Sequence, residues 1–374
     1  MATPPSVTGS LAGATFSFET NAPDLAAYAA LHLAPLSAGA VSAPAVTATL
    51  TWHDGQPSSE RPVDRAGGAT IERVDRDLYT DGTTLHWFRV DDLRDLFLRC
   101  TWNDSRLTVH GDFHYRLGNR PFSDRLRRIR QWSHRSELRQ RRFTTLLSYL
   151  VYYPCWWWLE QTRDLHPIHA GAVTTDAGAI LLAGASGIGK STLAVALAMS
   201  PGTRFLSDSF VLQQGDDVWA VREPILLDAW SRRWLGSAAD ELQVIEGSFG
   251  LNRCGYQMPA HRRVEAGRVA LLLFPRRAPE SYARPISAEQ AHHRLSAADL
   301  MINDLRRYWA FAAVLEQLHL SGLVARREAH LARLVAATPC YEIGLTADMS
   351  SGAAVHAIMQ LLQKQPLRAV GARQ

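Results

Sequence analysis

Hydrophobic and polar residues alternate through much of the first third of the chain, which is the period of a half-buried β-strand. Two pairs of such segments flank Asp81-Gly82 and the turn at 103–105, and Asp-Gly between alternating segments is a strong hairpin signal. A helical pattern covers 24–33. These elements predict a small, mainly antiparallel α+β domain.

The period becomes helical over 122–153, where Phe122, Leu126 and Ile129 fit one face. Nine arginines lie within 120–142. They indicate either a basic surface for an acidic partner or nucleic acid, or a solvated helix face whose arginine stems cover apolar surface. The balanced overall charge favours the second interpretation, so no nucleic-acid partner is expected.

The segment 143–159 has no charged residue, but its 17 residues are too few for a membrane-spanning helix. It contains Pro154 and ends in tryptophans and a leucine. We therefore expect a buried helix that ends near Pro154, followed by an aromatic packing patch. No membrane span is expected, and contact with a membrane interface is the alternative.

The second half alternates buried strands with helices, the pattern of an α/β domain. One apolar strand enters a glycine-rich turn and a helix, and a later one, 267–275, is expected to stop at Pro275. The predicted organisation is a loose tail (1–13), the α+β domain (14–118), a helical arginine-rich connector (119–160), an α/β domain with C-terminal helices (161–364) and a second loose tail (365–374).

The composition is that of a globular protein, with 374 residues, 47% hydrophobic and 20% charged, and a net charge of +4. It excludes a mostly disordered chain, a collagen-like repeat and a small disulfide scaffold. The four cysteines lie far apart, which supports neither a zinc ribbon nor a disulfide framework. The N-terminal residues lack the basic and apolar regions of a signal peptide, so the cytoplasm is the expected location.

The strongest chemical signal is the sequence GASGIGKST, which matches the phosphate-binding pattern GxxxxGK[ST] between an apolar strand and a helix. Backbone N–H groups of such a loop and of the helix N-terminus point at phosphates. The lysine reaches the β- and γ-phosphates of ATP, and the serine hydroxyl ligates Mg²⁺. The predicted nucleotide-binding residues are Gly184, Ala185, Ser186, Gly187, Ile188, Gly189, Lys190, Ser191 and Thr192.

Lys190 is one of only two lysines among the 40 basic residues, the other being Lys364. In a chain that otherwise uses arginine, a lysine at this position indicates a site that needs a compact ammonium against phosphates.

Asp208 is the best candidate for the acid that such a loop requires. It lies 18 residues after Lys190, at the end of the first strand after the loop helix, where ligands bind in open α/β sheets. Ser191 and Asp208 are the predicted Mg²⁺ ligands, and a turn or helix-cap role is the alternative for Asp208. His169 lies 15 residues before Gly184, close enough to reach the loop, although a lone histidine is more often part of a core.

The combination of IHAGAV, GASGIGKST and LSDSFVL at these spacings resembles the catalytic domain of the HPr kinase/phosphorylase family and its wider relatives. The resemblance covers roughly residues 160–280 and implies an α/β, phosphate-loop fold akin to the PEP carboxykinase type. Positions His169, Lys190, Ser191 and Asp208 match the family pattern. Thr192 and Ser209 stand where the family has acidic residues, and these departures argue against the phosphorylase reaction and leave the kinase.

The resemblance implies an ATP- and Mg²⁺-dependent kinase that phosphorylates a hydroxyl, with Lys190, Asp208 and His169 as catalytic residues. Asp208 would orient or deprotonate the acceptor, and His169 would tune it through a hydrogen bond. The acceptor is expected to be a serine of a peptide or protein, such as a ribosomal precursor peptide. Relatives of this type often form homo-oligomers. Further candidates are Arg253, Arg262 and Arg263 for the transferring phosphoryl group and Glu223 for the substrate side.

Three alternatives remain open from the sequence: a regulatory NTPase, a nucleotide-binding module without an acceptor, and a kinase acting on a small hydroxyl compound. His110, Asp112 and His114 alternate on one strand and suggest a metal site, but exposed polar alternation explains them as well.

Overall fold

The computed structural model describes residues 6–37, 43–55, 71–90, 93–115, 135–245 and 253–364. Phe122, Leu126, Ile129, most of the arginine-rich segment and the tail 365–374 lie outside these ranges. The architecture is mixed α/β with several sheets. Within the described residues, no helix combines the length and the apolar character needed to cross a bilayer.

The chain divides into two compact units. The first unit contains residues up to Thr162 together with Arg307–Ser321, and the second contains Arg163–Arg306 and the residues from Gly322 onward. The α/β domain predicted over 161–364 is therefore interrupted by a segment that belongs to the first unit.

The first unit is built on a mixed sheet of eight strands in the order β1-β2-β3-β8-β7-β6-β5-β4. Five of its seven strand pairings are antiparallel, as predicted. The turns at Asp81-Gly82 and 103–105 each join paired strands, which confirms both hairpins. The strands are β1 (Ser6–Leu11), β2 (Ala14–Thr20), β3 (Val46–Asp54), β4 (Glu72–Asp75), β5 (Leu78–Thr80), β6 (Thr84–Val90), β7 (Leu93–Asn103) and β8 (Arg106–Tyr115).

The helices of this unit are α1 (Pro23–His32), α2 (Arg135–Leu147) and α3 (Tyr153–Arg163), with a π-helical turn, Ser148–Tyr152, between α2 and α3. Buried aromatic rings pack along α3, where Trp156 meets Tyr308 edge to face at 5.2 Å between ring centroids. The Tyr308 hydroxyl donates to the fully buried carboxylate of Glu160. The segment 143–159 is therefore an interior part of this unit.

Three sequence predictions about element ends were wrong. The helix does not end near Pro154, because the wider π turn precedes the proline and the helix continues to Arg163. The strand that begins at Ala266 does not stop at Pro275 but runs to Arg277. A proline cannot donate a hydrogen bond to a neighbouring strand, but pairing with the strand Gly178–Ala183 already ends at Leu273. Within the predicted loose tail 1–13, Ser6–Leu11 form β1, joined to β2 by a two-residue turn.

The second unit is built on a nine-stranded sheet with the path β12-β10-β11-β18-β14-β13-β9, to which β20 and β19 add beside β18. A separate three-stranded sheet has the order β15-β17-β16. The strands are β9 (His166–Ile168), β10 (Ala170–Thr175), β11 (Gly178–Ala183), β12 (Arg204–Ser207), β13 (Val211–Gln214), β14 (Asp217–Ala220), β15 (Ile225–Leu227), β16 (Gln243–Ile245), β17 (Cys254–Gln257), β18 (Ala266–Arg277), β19 (Tyr282–Pro285) and β20 (Cys340–Leu345).

Helices cover both faces of the main sheet, which explains why β11 is apolar at every position rather than alternating. The helices are α4 (Lys190–Ala198), α5 (Ala229–Leu235), α6 (Ala288–Met301), α7 (Asn303–Leu315), α8 (Leu323–Ala337) and α9 (Ser351–Gln363), and the residues of α7 from Arg307 onward belong to the first unit. Ile180 and Leu182 point into a core with α4 and α9, whereas Leu181 and Ala183 point into a core with α6 and α8.

Gly178 fixes the start of β11 and gives a test of this packing. Its φ is +121°, and an added Cβ would lie 2.6 Å from the Arg268 carbonyl oxygen. We expect Gly178→Ala to lower the free energy of unfolding by about 2–4 kcal/mol, since backbone strain and overpacking add. The control Gly202→Ala also has positive φ but open space around it, and should cost about 1 kcal/mol. Urea unfolding measures both, and equal losses would contradict the packing of β11.

Candidate functional site

Three strands bring the predicted residues to one edge of the main sheet. β10 runs antiparallel to both β11 and β12, so the start of β10 lies beside the ends of the other two. His169 immediately precedes β10, the glycine-rich loop follows β11, and Asp208 follows β12. β18 runs parallel to β11 and ends at the same edge. This edge is where open α/β sheets bind ligands.

The loop between β11 and α4 needs its glycines for their backbone conformation. Gly184, Gly187 and Gly189 have φ values of +132°, +80° and +98°, which side-chain-bearing residues rarely adopt. Gly189 directly precedes α4, so the free N–H groups of the first turn of that helix adjoin the loop. The glycine conformations and the helix start are thus those that the sequence pattern predicts, and anion binding there stays a prediction.

Lys190 is only 5% exposed, and its Nζ donates hydrogen bonds to the carbonyl oxygens of Gly184 (2.8 Å) and Ala185 (2.9 Å). Burial lowers the pKa of Lys190 to about 8, against the opposing effect of the Asp299 charge. The ammonium thus lies inside the loop, bonded to two neutral acceptors that an anionic oxygen would outcompete.

Asp208 and Ser191 meet at the start of α4. The Ser191 hydroxyl donates to the Asp208 backbone carbonyl at 3.3 Å. The Asp208 side chain is buried, and burial raises its pKa to about 7, against a smaller lowering by hydrogen bonds from Ser209 and its own backbone. A carboxyl group with a pKa near neutrality is suited to accept a proton from a substrate.

His169 is held through its backbone. Its N–H donates to Asp299 Oδ1 at 2.9 Å, and its ring lies 5.3 Å from that of Phe210. Burial and the Lys190 charge lower its pKa to about 3, although the Ser209 backbone opposes the shift. Neither buried ring nitrogen makes a well-aligned hydrogen bond, so the predicted bond from His169 to Asp208 is not present. Buried ring nitrogens without a well-aligned partner leave hydrogen-bonding capacity for a ligand.

A cavity of about 310 Å³ opens beside the loop. His169, Lys190 and Ser191 line it together with Arg253, Arg277 and Asp304. It therefore contains cations, an acid and hydroxyl groups at one place, as transfer of a charged group requires.

Glu223 lies near this cavity, close enough to Asp208 and Asp304 for their charges to act on it. Burial, reinforced by those two carboxylates, raises the pKa of Glu223 well above its usual range. Three acidic groups that repel one another favour binding of a cation.

A second cavity, of about 470 Å³, lies on the other side of the loop and is mostly apolar, with Phe274 and Met301 in its wall. Arg276 and Arg294 also line it, and both pair with the buried Glu342, as does Arg284. Three arginines around one carboxylate leave an excess of positive charge, which suits an anionic ligand.

Two predicted arginines do not line the cavity of about 310 Å³ beside the loop. Arg262 pairs with Glu241 and donates to the Ala198 carbonyl. Burial and the charge of Arg222 lower the pKa of Arg263, and Glu265 opposes this shift. In the first unit, His110 contacts Thr49, whereas Asp112 contacts His53. Among the described residues, the ligand atoms of His110, Asp112 and His114 do not form a convergent metal-binding group.

Sequence reasoning missed Asp299, Asp304 and Arg277. Asp299 accepts a hydrogen bond from a residue 130 positions earlier in the chain. No periodicity or motif marks such an acid on a helix end, because only the fold brings it to the loop. Arg277 was recoverable in part, since it ends the apolar strand whose carboxyl end adjoins the loop.

The raised pKa values of Asp208 and Asp299, both about 7, give a pH test. Each group holds its proton more tightly when folded, so its contribution to stability is present at about pH 4 and lost as the pH rises through about 7. Asp208→Asn should remove part of this loss, about 1.4 kcal/mol for each unit of pKa shift. Urea unfolding across this range measures it. Exposed Asp240→Asn is the control, and equal pH dependence in wild type and Asp208→Asn would contradict the burial of this carboxyl group.

Neither a family model nor a curated protein matches the chain. Among solved structures, the HPr(Ser) kinase/phosphatase from Coxiella burnetii is similar, with 18% sequence identity over 32% of this chain and 77% of its own, at a TM-score of 0.21. A similarity this weak does not establish a shared fold. The mixed α/β architecture is a finding, whereas an HPr kinase-like fold stays a prediction.

Proposed function

We propose that the second unit is an ATP-dependent kinase that transfers the γ-phosphoryl group to a hydroxyl, most simply that of a serine. One observation carries the proposal. A glycine-rich loop with a buried lysine, a hydroxyl ligand and a buried acid with a pKa near neutrality meet at the strand edge beside a polar cavity.

The loop and α4 bind the phosphates in this proposal. Backbone N–H groups of 184–191 and the N-terminus of α4 face the β- and γ-phosphates. Lys190 exchanges its bonds to Gly184 and Ala185 for phosphate oxygens, which are stronger acceptors because they are charged. Arg253 and Arg277, which line the same cavity, add positive charge for the transferring group.

Ser191 and Asp208 would hold Mg²⁺, whose charge offsets that of the phosphates. The residues fit this ion, because hard divalent cations prefer oxygen ligands and the site is acidic. Burial, together with the charges of Asp208 and Asp304, raises the pKa of Glu223. A cation bound among these acidic groups would relieve their repulsion, without Glu223 or Asp304 being assigned as ligands.

Asp208 also acts on the acceptor. The hydroxyl oxygen attacks the γ-phosphorus while the bond from that phosphorus to the β–γ bridging oxygen breaks, and the hydroxyl proton passes to the Asp208 carboxylate. The products are ADP and the phosphate ester. Burial supports this role, because before any ion binds it raises the pKa of Asp208 from the ordinary aspartate range to about 7.

His169 serves as a neutral hydrogen-bond partner for the bound ligand, because its pKa of about 3 keeps the ring uncharged near neutral pH. Its position in the cavity wall, with no well-aligned hydrogen bond at either ring nitrogen, supports this role.

The two cavities suggest where the substrates lie. The apolar cavity with Phe274 and Met301 suits the nucleoside, and the polar cavity with His169 and Asp304 suits the acceptor. The acceptor is a peptide or protein serine, such as that of a ribosomal precursor peptide, or a small hydroxyl compound. That the chain forms a homo-oligomer also stays a prediction.

Asp208→Asn should lower phosphoryl transfer by about 10²–10⁴-fold, since it removes the proton acceptor, while ATP still binds. Transfer of radiolabel from [γ-³²P]ATP to a panel of serine peptides and small alcohols measures the first effect, and equilibrium dialysis measures the second. Asp240→Asn, at an exposed position of the same unit, is the control and should be fully active.

The fate of the label distinguishes the candidate functions. Label on an acceptor supports the kinase. Label released only as inorganic phosphate in every reaction would indicate an NTPase, and nucleotide binding without turnover would indicate a binding module. Full activity of Asp208→Asn would exclude the role assigned to Asp208.

The two lysines give a matched test of phosphate binding. Lys190→Ala should weaken ATP binding by about 100-fold. Lys190→Arg should not restore it, because the planar guanidinium cannot reproduce the compact ammonium that bonds to the Gly184 and Ala185 carbonyls. Lys364→Ala, at an exposed site, should behave as wild type. Isothermal titration with Mg·ATP measures the affinities, and unchanged binding by both Lys190 variants would refute the loop assignment.

A further inference from the structure

Three metal-ligating side chains of the second unit converge away from the phosphate loop. Asp164 lies between α3 and β9, His166 is the first residue of β9, and His330 lies on α8. Asp164 Oδ1 is 3.1 Å from His166 Nε2, and Asp164 Oδ2 is 2.7 Å from His330 Nε2. All three ligand atoms lie within 4.8 Å of one another. The chain thus gathers two imidazoles and one carboxylate from two separate elements.

The spacing matches the size of a tetrahedral metal centre. Zinc bonds to histidine nitrogen and carboxylate oxygen of about 2.0–2.1 Å place neighbouring ligand atoms about 3.3 Å apart. The separation of 3.1 Å between His166 Nε2 and Asp164 Oδ1 is close to this value. The separation of 2.7 Å between His330 Nε2 and Asp164 Oδ2 is shorter by about 0.6 Å, so a small movement of one side chain would admit the ion. Among the described residues, this is the group of histidine, cysteine and acidic side chains with such convergence.

The surroundings leave access for an ion on one side. His166 and His330 are 2% and 4% exposed and are fixed by packing, with their rings 4.3 Å apart between centroids. The Asp164 side chain is 40% exposed, so a fourth ligand such as water can approach from solvent. Asp164 also has a φ of +56°, an unusual conformation for a residue other than glycine, which turns its side chain toward the two histidines.

An ion pair between Arg326 and Asp164 is the alternative explanation for the position of the Asp164 carboxylate. Arg326, one helical turn before His330, has its Nη1 3.3 Å from Asp164 Oδ1. A guanidinium at this distance also serves as an outer partner of a ligating carboxylate, and such partners hold first-shell ligands in place. Arg326 alone does not account for two buried imidazole Nε2 atoms directed at one carboxylate.

We infer that Asp164, His166 and His330 bind a divalent transition metal ion of the zinc class. Imidazole nitrogen selects such ions over Mg²⁺, which prefers oxygen ligands throughout. The ion would fasten α8 to β9, and β9 ends one residue before His169. This site is independent of the proposed kinase function, so either proposal can fail without the other.

The test uses the full chain after removal of metals with a chelator, titrated with Co²⁺ and followed by visible absorption, which is intense for four-coordinate Co²⁺. Every variant is made in the Cys254→Ser protein, because the exposed thiol of Cys254 would itself bind such ions. We expect one Co²⁺ per chain, displaced by Zn²⁺ but not by excess Mg²⁺. His330→Ala should weaken binding by about 100-fold, and His293→Ala, an exposed histidine on α6, should not change it.

Asp164→Asn keeps the shape and hydrogen-bonding oxygen of the side chain and decides the question if His330→Ala does not fold. It should weaken Co²⁺ binding by at least about 10-fold. Failure of the folded parent chain to bind Co²⁺ would overturn the proposal. Equal Co²⁺ affinity in the parent and Asp164→Asn would overturn it as well, because the ion would then lie elsewhere.

Discussion

The burial of Lys190 is the constraint on which the candidate site depends. An ammonium that is 5% exposed must be hydrogen-bonded, and here the Gly184 and Ala185 carbonyls of its own loop accept from it. Asp299 adds a favourable charge nearby and also accepts the backbone N–H of His169. The loop, the histidine and the distant acid therefore form one connected arrangement, in which moving any member exposes or isolates another.

The sheet makes this arrangement possible. Because β10 is antiparallel to β11 and β12, a single edge receives the residue before β10 and the residues after β11 and β12. Helices pack on both faces of the sheet, and the loop residues 184–192 belong to neither apolar core. Burial in this interior raises the pKa of Asp208 and lowers that of His169, so one environment favours the neutral form of both groups.

Local sequence patterns predict the loop and the hairpins, whereas the continuation of the helix through Pro154 and the role of Asp299 depend on features that such patterns do not show. The loop at 184–192 is recognisable from sequence because its glycines, lysine and serine are adjacent and their conformations are dictated locally. Hairpins at Asp81-Gly82 and 103–105 were predictable for the same reason. The helix through Pro154 was not, since a π turn removes the conflict that a proline normally creates. Nor was Asp299, whose role depends on packing α6 against the sheet.

The position of the metal-ligand group shows the same limit. His166 lies on β9, three residues before His169, but its partner His330 follows 164 residues later on helix α8. Spacing rules for metal sites detect ligands on one element or one turn. They do not detect a pair that only the packing of α8 beside β9 brings together.

Proton release on binding of Mg·ATP tests the central claim most directly. Asp208 has a pKa of about 7 when buried and must ionise to bind Mg²⁺, so binding at about pH 6.5 should release a proton. Isothermal titration calorimetry in two buffers of different ionisation enthalpy counts the protons. We predict that wild type releases more protons than Asp208→Asn, by about 0.8 per nucleotide bound at this pH. Equal release by the two proteins, or no binding by wild type, would contradict the account.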